Sequence, residues 1–395
     1  MMEEKKIKLG VIGLGRAFML MLPTFLQDSR VELVAAMDPR DSARKRFSQD
    51  FHAASYDNIE DFCADPRVEV VYIASPHQFH AEHARYVAQI GKHILLEKPL
   101  AISMTECHDI VETIEQTGVV LVVGHSHSFN GPVLHAKHLI DQNVWGSVQM
   151  IHAFNYTDFL YRPRRPEELD TSQGGGVIFS QAAHQIDMIR LLGGGLVKTV
   201  QAKTGNWDPA RPTEGAYSAL LTFENGAYAS ATYSGYGHYD SDELLGGIGE
   251  MGFLKSSDDY GKARRRLKEI GSIEQESALK EEGNYGSKNY QPPLLVTTPY
   301  HQHFGHVVVS MTKADLRIQP NGVMVYSDEA RYLENTVKKP VPRAEVIDEL
   351  FNAIFLATPV VHSAQWARAT TEVCLAILNS ARTGDSVQLQ YQVVA

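Results

Sequence analysis

The feature that most restricts the fold lies near the N-terminus. There the apolar run 8–12 ends in Gly13-Leu14-Gly15 and passes directly into Arg16-Ala17-Phe18, the start of an amphipathic stretch. A strand that turns on glycines into a helix opens a βαβ unit, and the rest of the first third keeps that rhythm. Short β-branched runs recur at 31–37, 70–74, 93–96 and 119–123, separated by amphipathic segments. They are continuously apolar rather than alternating, as strands of a parallel sheet covered by helices on both faces must be.

This turn carries chemistry as well as shape. Gly13 permits a tight turn, Gly15 lets the backbone approach a pyrophosphate, and a helix N-terminus favours the phosphate charge. The third glycine of such a fingerprint is replaced by Phe18, so close helix-strand packing must be achieved in another way. Asp38 ends the second run, where an acid can bond ribose hydroxyls. The expected cofactor is therefore NAD; Arg40, which could reach a 2'-phosphate, keeps NADP as the alternative.

Beyond 124 the pattern changes to longer strands at 148–155, 197–205, 217–223 and 227–233, with Glu224-Asn225-Gly226 as a hairpin turn. Between them 181–192 has helical spacing and stops at Gly193-Gly194-Gly195. The expectation is α/β followed by α+β: a dinucleotide-binding domain over 1–124, then a domain over 125–395 with an open, mainly antiparallel sheet and C-terminal helices within 346–380. The polar stretch 257–293 reads as a surface loop.

A chain of 395 residues is long enough for two cores, and its net charge of -10 excludes a general grip on nucleic acid or an anionic membrane. Cys63, Cys107 and Cys374 are too scattered for a metal site or a disulfide framework, which suits a reducing compartment. With no signal-peptide pattern and no apolar run long enough to span a bilayer, the expected location is the cytoplasm.

The segment Leu95-Leu96-Glu97-Lys98-Pro99-Leu100 resembles the Gfo/Idh/MocA oxidoreductase family. So do Ala74-Ser75-Pro76 with His80, Gly91-Lys92-His93, and Gly174-Gly175-Gly176 leading to His184 and Asp187. The resemblance implies an N-terminal Rossmann domain and an α+β domain whose open sheet joins a homo-oligomer, a dimer or tetramer. It implies cofactor contacts from Ser75, Pro76, His80, Glu97 and Lys98, in addition to Gly13, Gly15, Arg16, Ala17, Phe18, Asp38 and Arg40. It also implies that Lys98 lies beside the nicotinamide and that His184 is the acid/base for the substrate hydroxyl. One departure is clear: the family has an aspartate four residues before that histidine, and here the position is Ser180. Gln181 is then a candidate to orient His184.

Two further features bear on the substrate. His125 and His127 fall on one side of an extended segment, where substrate hydrogen bonding is preferred to metal because no further ligands accompany them. Arg162, Arg164 and Arg165 form a basic knot in an acidic chain, and arginine forks suit a carboxylate. With Ser180, Gln181, Asp187 and Ser234-Gly235-Tyr236, these features are similar to the branch that includes phthalate cis-dihydrodiol dehydrogenases. The implied reaction is hydride transfer from a hydroxyl-bearing carbon of an anionic cis-dihydrodiol. Alternatives are a sugar or inositol dehydrogenase, a catalytically silent NAD(P) sensor, for which Ser180 speaks, and, less favoured, an NAD-assisted hydrolase.

Overall fold

Among the residues described in the computed structural model, which are 5–395 apart from 125, 294 and 296, six strands form one sheet and nine another. The first sheet contains β1 (Ile7–Ile12), β2 (Val31–Met37), β3 (Ala54–Tyr56), β4 (Val70–Ile73), β5 (His93–Leu96) and β6 (Leu121–Val123). All pairs are parallel, in the order β3-β2-β1-β4-β5-β6, the doubly wound arrangement in which ligands bind beyond the carboxyl ends of the strands. The connecting helices are α1 (Arg16–Gln27), α2 (Asp41–Phe51), α3 (Ile59–Ala64), α4 (His80–Gln89) and α5 (Met104–Thr117). Ile12, Val71, Ile73, Ile94 and Leu96 meet Phe62 and Ile110 in its core.

The second sheet runs β14-β13-β12-β11-β7-β10-β9-β8-β15. Its strands are β7 (Val148–Tyr156), β8 (Val197–Gly205), β9 (Ala216–Phe223), β10 (Tyr228–Ser234), β11 (His306–Met311), β12 (Ala314–Gln319), β13 (Gly322–Ser327), β14 (Arg331–Asn335) and β15 (Val387–Gln388). It is antiparallel except between β7 and β10. Burial alternates along β7, with Ile151, Ala153 and Asn155 inside and His152 exposed, so one face is covered and the other open. The helices α6 (Gly131–Asp141) and α7 (Ala183–Gly193) belong with this sheet, and α7 ends where expected, with Gly194 at φ +93. Strands β3 and β11 to β14 had no counterpart in the sequence reading, although burial alternates along β11 and β12 in the same way.

The chain divides into two units, 1–125 with 278–297 and 339–368, and 126–277 with 298–338 and 369–395. The expected boundary at 124 thus marks where the first unit is left, but two later segments return to it. One carries α10 (Ala344–Leu356): Arg343 bonds the Leu20 carbonyl at 2.8 Å, Arg30 meets Asp348 at 2.8 Å, and the Val123 N–H donates to the His362 carbonyl at 2.8 Å. That last bond satisfies a backbone donor at the end of β6, the edge strand of the parallel sheet. The other returning segment corrects the loop expected over 257–293. This stretch contains α8 (Lys262–Lys268) and α9 (Ile273–Glu282) and then buries Tyr285 and Tyr290 in the first unit; α11 (Ala364–Thr383) is the last helix.

Candidate active site

In the first unit the turn after β1 leaves room for a ligand. Gly13 sits at φ +89, and a Cβ there would lie 2.8 Å from the Ala74 carbonyl oxygen; a Cβ on Gly15 would meet nothing within 4 Å. The N-terminus of α1, with exposed Arg16 and half-buried Ala17 in its first turn, therefore faces open space, as a pyrophosphate requires. Phe18 is fully buried, so its side chain does not face the ligand. It packs edge-on against Tyr285, with ring centroids 5.2 Å apart, and at 6.3 Å from Phe47. An aromatic ring from the returning segment thus packs against the large side chain that stands at the third glycine position.

Asp38 is buried at the carboxyl end of β2, and both its oxygens are engaged. Oδ2 accepts from the Leu14 N–H at 2.7 Å, and the Arg40 guanidinium forks onto the carboxylate at 3.0 and 3.1 Å. Arg40 also donates to the carbonyls of Leu14 and Tyr285. These residues fit a dinucleotide: an open glycine turn, a helix N-terminus and an acid at the end of the second strand, with a cation that the acid restrains.

Lys98 follows β5 at the carboxyl edge of the sheet and is half-buried. His80, expected among the cofactor contacts, links two loops at this edge. It is fully buried, its Nδ1 is 2.7 Å from the Pro99 carbonyl oxygen and its Nε2 is 3.0 Å from that of Ser75, so it staples the loop after β4 to the loop after β5. Burial lowers its pKa to about 4, against the two carbonyls, which favour the charged ring. Ser75 is likewise tied down, its hydroxyl 3.0 Å from His83 Nδ1, while Pro76 beside it is half-buried. Glu97 is buried and accepts the Tyr72 hydroxyl at 2.6 Å, so it anchors the strand end.

In the second unit His184 lies on α7, two residues beyond a π-helical turn over Ile178–Ala182. Such turns reset the direction of the side chains that follow and recur at functional sites. The ring of His184 is edge-on to His127, with centroids 4.9 Å apart at 75°, and 5.3 Å from Phe304, which in turn stacks with Tyr233. The Tyr233 hydroxyl bonds the Thr157 hydroxyl at 2.8 Å and donates to the Gln181 side-chain amide oxygen Oε1 at 3.2 Å, and burial pushes its pKa well up. Gln181 is therefore engaged with Tyr233. Ser180 donates its hydroxyl back to the Gly176 carbonyl and offers no charge. His127 Nε2 lies 3.2 Å from Glu250.

Asp187, expected among the substrate contacts, is engaged by hydroxyls of its own unit. It is buried and accepts from the hydroxyls of Ser126 at 2.6 Å, Ser128, and Thr370 at 3.1 Å, fixing the loop that carries His127. His125 lies outside the described residues. The three arginines separate by environment. Arg164 is buried, stacked on Phe159 at 3.6 Å and bonded to its carbonyl at 2.7 Å, and burial lowers its pKa to about 10. Arg165 pairs with Glu167 and Glu168. These two serve their own loop. Arg162 is exposed, pairs with Asp158 at 3.1 Å, and has Glu250 and Tyr233 within electrostatic reach. Sequence reasoning passed over Glu250, Phe304 and Tyr233. The one signal for Glu250 is its setting in Gly246-Gly247-Ile248-Gly249-Glu250-Met251-Gly252, an acid in a glycine-rich turn.

Residues 7–125 match the Gfo/Idh/MocA oxidoreductase family with an NAD-binding Rossmann fold, and 133–254 match the C-terminal domain of that family. The chain is 48% identical over 377 residues to the 1-carboxy-3-chloro-3,4-dihydroxycyclohexa-1,5-diene dehydrogenase of Comamonas testosteroni, covering 95% of each protein. A solved protein of Bordetella bronchiseptica RB50 is 40% identical with a TM-score of 0.91, over 97% of this chain and all of that one, 100%. A levoglucosan dehydrogenase in complex with NADH and levoglucosan shares the fold, with a TM-score of 0.71 at 18% identity over 96% and 98% of the two chains. The glycine turn, the ribose acid and the Lys98 and His184 positions thus occur in a chain that belongs to the Gfo/Idh/MocA family and is an NAD-dependent dehydrogenase.

Proposed function

We propose that the substrate is a carboxylated cis-dihydrodiol of a cyclohexadiene, oxidised toward the corresponding catechol. The observation that carries this reading is Arg162, the exposed arginine of the knot, within electrostatic reach of Tyr233 and Glu250 in the aromatic-walled cluster around His184. The likeness to the Comamonas testosteroni enzyme, whose named substrate is a carboxylated ring diol, supports it. Arg162 binds the carboxylate.

When bound, NAD supplies the hydride acceptor. The chain's own work is to handle the proton: His184 takes it from the hydroxyl as that carbon loses hydride, and the C–O bond becomes a carbonyl. Lys98 stabilises the negative charge on the oxygen as the proton leaves. The ketone then enolises to the aromatic diol, a downhill step that lightens the demand on the proton acceptor and suits a chain with serine at 180. The test is NAD reduction with a carboxylated cis-diol, the same diol lacking its carboxylate, and inositol. Faster turnover of inositol would replace this reading with that of a polyol dehydrogenase.

The open face of the second sheet carries Met150, Phe154, Tyr228, Val308 and Met324, an apolar surface suited to a second copy of the chain. A homo-oligomer through this face is the expected state, and sedentary monomers in analytical ultracentrifugation would exclude it. Among the described residues no helix is long and apolar enough to cross a membrane, and Cys63, Cys107 and Cys374 are buried thiols, which suits the cytoplasm.

A further inference from the structure

The family's proton acceptor has a carboxylate four residues before it, and Ser180 cannot replace that charge. A carboxylate does stand near His184 by another route. His127 Nδ1 is 2.9 Å from the Asn130 amide nitrogen, which also donates to the Gln302 carbonyl at 3.0 Å. That carbonyl fixes the amide orientation, because a flipped amide would put two acceptors face to face. Asn130 therefore donates to Nδ1, which leaves the ring proton on Nε2, directed at Glu250 at 3.2 Å. His127 is held in one tautomer, with one edge on a carboxylate and its ring against His184.

Glu250 is an anion in this setting. Burial would raise its pKa, but the His127 hydrogen bond, with electrostatic attraction from His127, Arg162 and His303, outweighs it and holds the carboxyl well below the usual range. Its side chain is 35% exposed, so the charge is accessible from the cluster. His303 is also near Glu250, with Nδ1 accepting from the Gly305 N–H at 3.2 Å and Nε2 2.9 Å from the Ile248 carbonyl. On α7 itself Asp187 is held by three hydroxyls, and Arg190 is bonded to Thr370 and Gln392. Tyr233 faces the cluster as a neutral phenol.

We propose that Glu250 is a positioning residue which, acting through His127, supplies beside His184 the negative charge that position 180 lacks. The inference rests on the reading of His184 as the proton acceptor. It follows that the charge, rather than the hydrogen bond alone, matters: an anion one ring away favours the imidazolium that His184 becomes when it takes the substrate proton.

Glu250→Gln separates the two, since glutamine still accepts from His127 but carries no charge. The expected result, read by NMR titration of His184 in the substrate-free full chain, is a midpoint lower by on the order of one pH unit. The acid limb of kcat/KM for the cis-diol moves down in parallel, and kcat falls on the order of ten-fold with KM little changed. Glu250→Asp restores most of both. An unmoved His184 midpoint, or a His184 that stays neutral in both proteins throughout the titration, overturns the proposal whatever the substrate proves to be. A shifted midpoint with no turnover of any cis-diol leaves the coupling standing and removes the substrate reading instead.

Discussion

Asp38→Asn tests the ribose site with the least change in shape. In the native chain Oδ1 accepts from the Arg40 N–H at 2.9 Å and from its Nε at 3.0 Å, while Oδ2 accepts from the Leu14 N–H at 2.7 Å and from Arg40 Nη2 at 3.1 Å. An amide has one acceptor oxygen, so in either orientation its NH2 group confronts two donors. Each lost charge-assisted bond is worth about 1.5–3 kcal/mol when buried. The Arg40 side chain is 33% exposed, which screens its share, so the expected loss is about 2–3 kcal/mol. At about 2–4 °C per kcal/mol for a unit of this size, the melting midpoint should fall by roughly 5–10 °C. The effect on ligands is more diagnostic. NAD loses an anionic acceptor for its ribose, so its Kd should rise about ten-fold or more. NADP, which the carboxylate repels, should lose less, because Arg40 is released toward a 2'-phosphate. Calorimetric titration of both cofactors at fixed salt reads the two constants directly. A lower melting midpoint with an unchanged NAD Kd would show that Asp38 only staples the loop and would refute the reasoning.

Three further outcomes are expected. Tyr285→Ala should cost about 3–5 kcal/mol in urea unfolding, because a fully buried ring against Phe18 is lost. Tyr285→Phe, which removes only the 2.7 Å bond to Asp50, should cost about 1 kcal/mol; equal costs would deny the packing role. Arg162→Met should raise KM for a carboxylated diol by about 10- to 100-fold and leave the diol without a carboxylate unaffected, and equal effects on both would refute its role. His80 has a folded pKa of about 4 against 6.5, so the unfolded chain binds the extra proton between these values. Its contribution is present above pH 6.5 and is lost as pH falls toward 4, by up to about 3 kcal/mol. Unfolding midpoints of His80→Gln that keep the full wild-type pH slope would exclude this account.

Local signals were readable wherever neighbours in sequence decide the structure. The turn at Gly13 and Gly15, the acid at Asp38, five of the six parallel strands, all but the short β3, and the stop of α7 at Gly194 depend on spacing, on φ at single residues and on burial of continuous runs. The substrate side was less readable. Asp187, Arg164 and Arg165 have the chemistry of ligand contacts, yet their charges are consumed by hydroxyls, a carbonyl and glutamates that only folding brings near. The polar stretch after 257 hides two tyrosines that fill the first unit, because isolated aromatics carry no periodicity.

The sequence by itself determined that a dinucleotide turn opens the chain and that a hairpin-rich second half follows, since these rest on short-range backbone geometry and on patterning of one segment at a time. Only the tertiary structure decided that Tyr285 packs edge-on against Phe18, that Arg40 is held by Asp38, and that Glu250 meets His127. The first and last of these join residues far apart in the chain, and Arg40, though two residues from Asp38, had other directions open to its side chain; the energy of each contact depends on distance and desolvation, which spacing along a sequence does not encode.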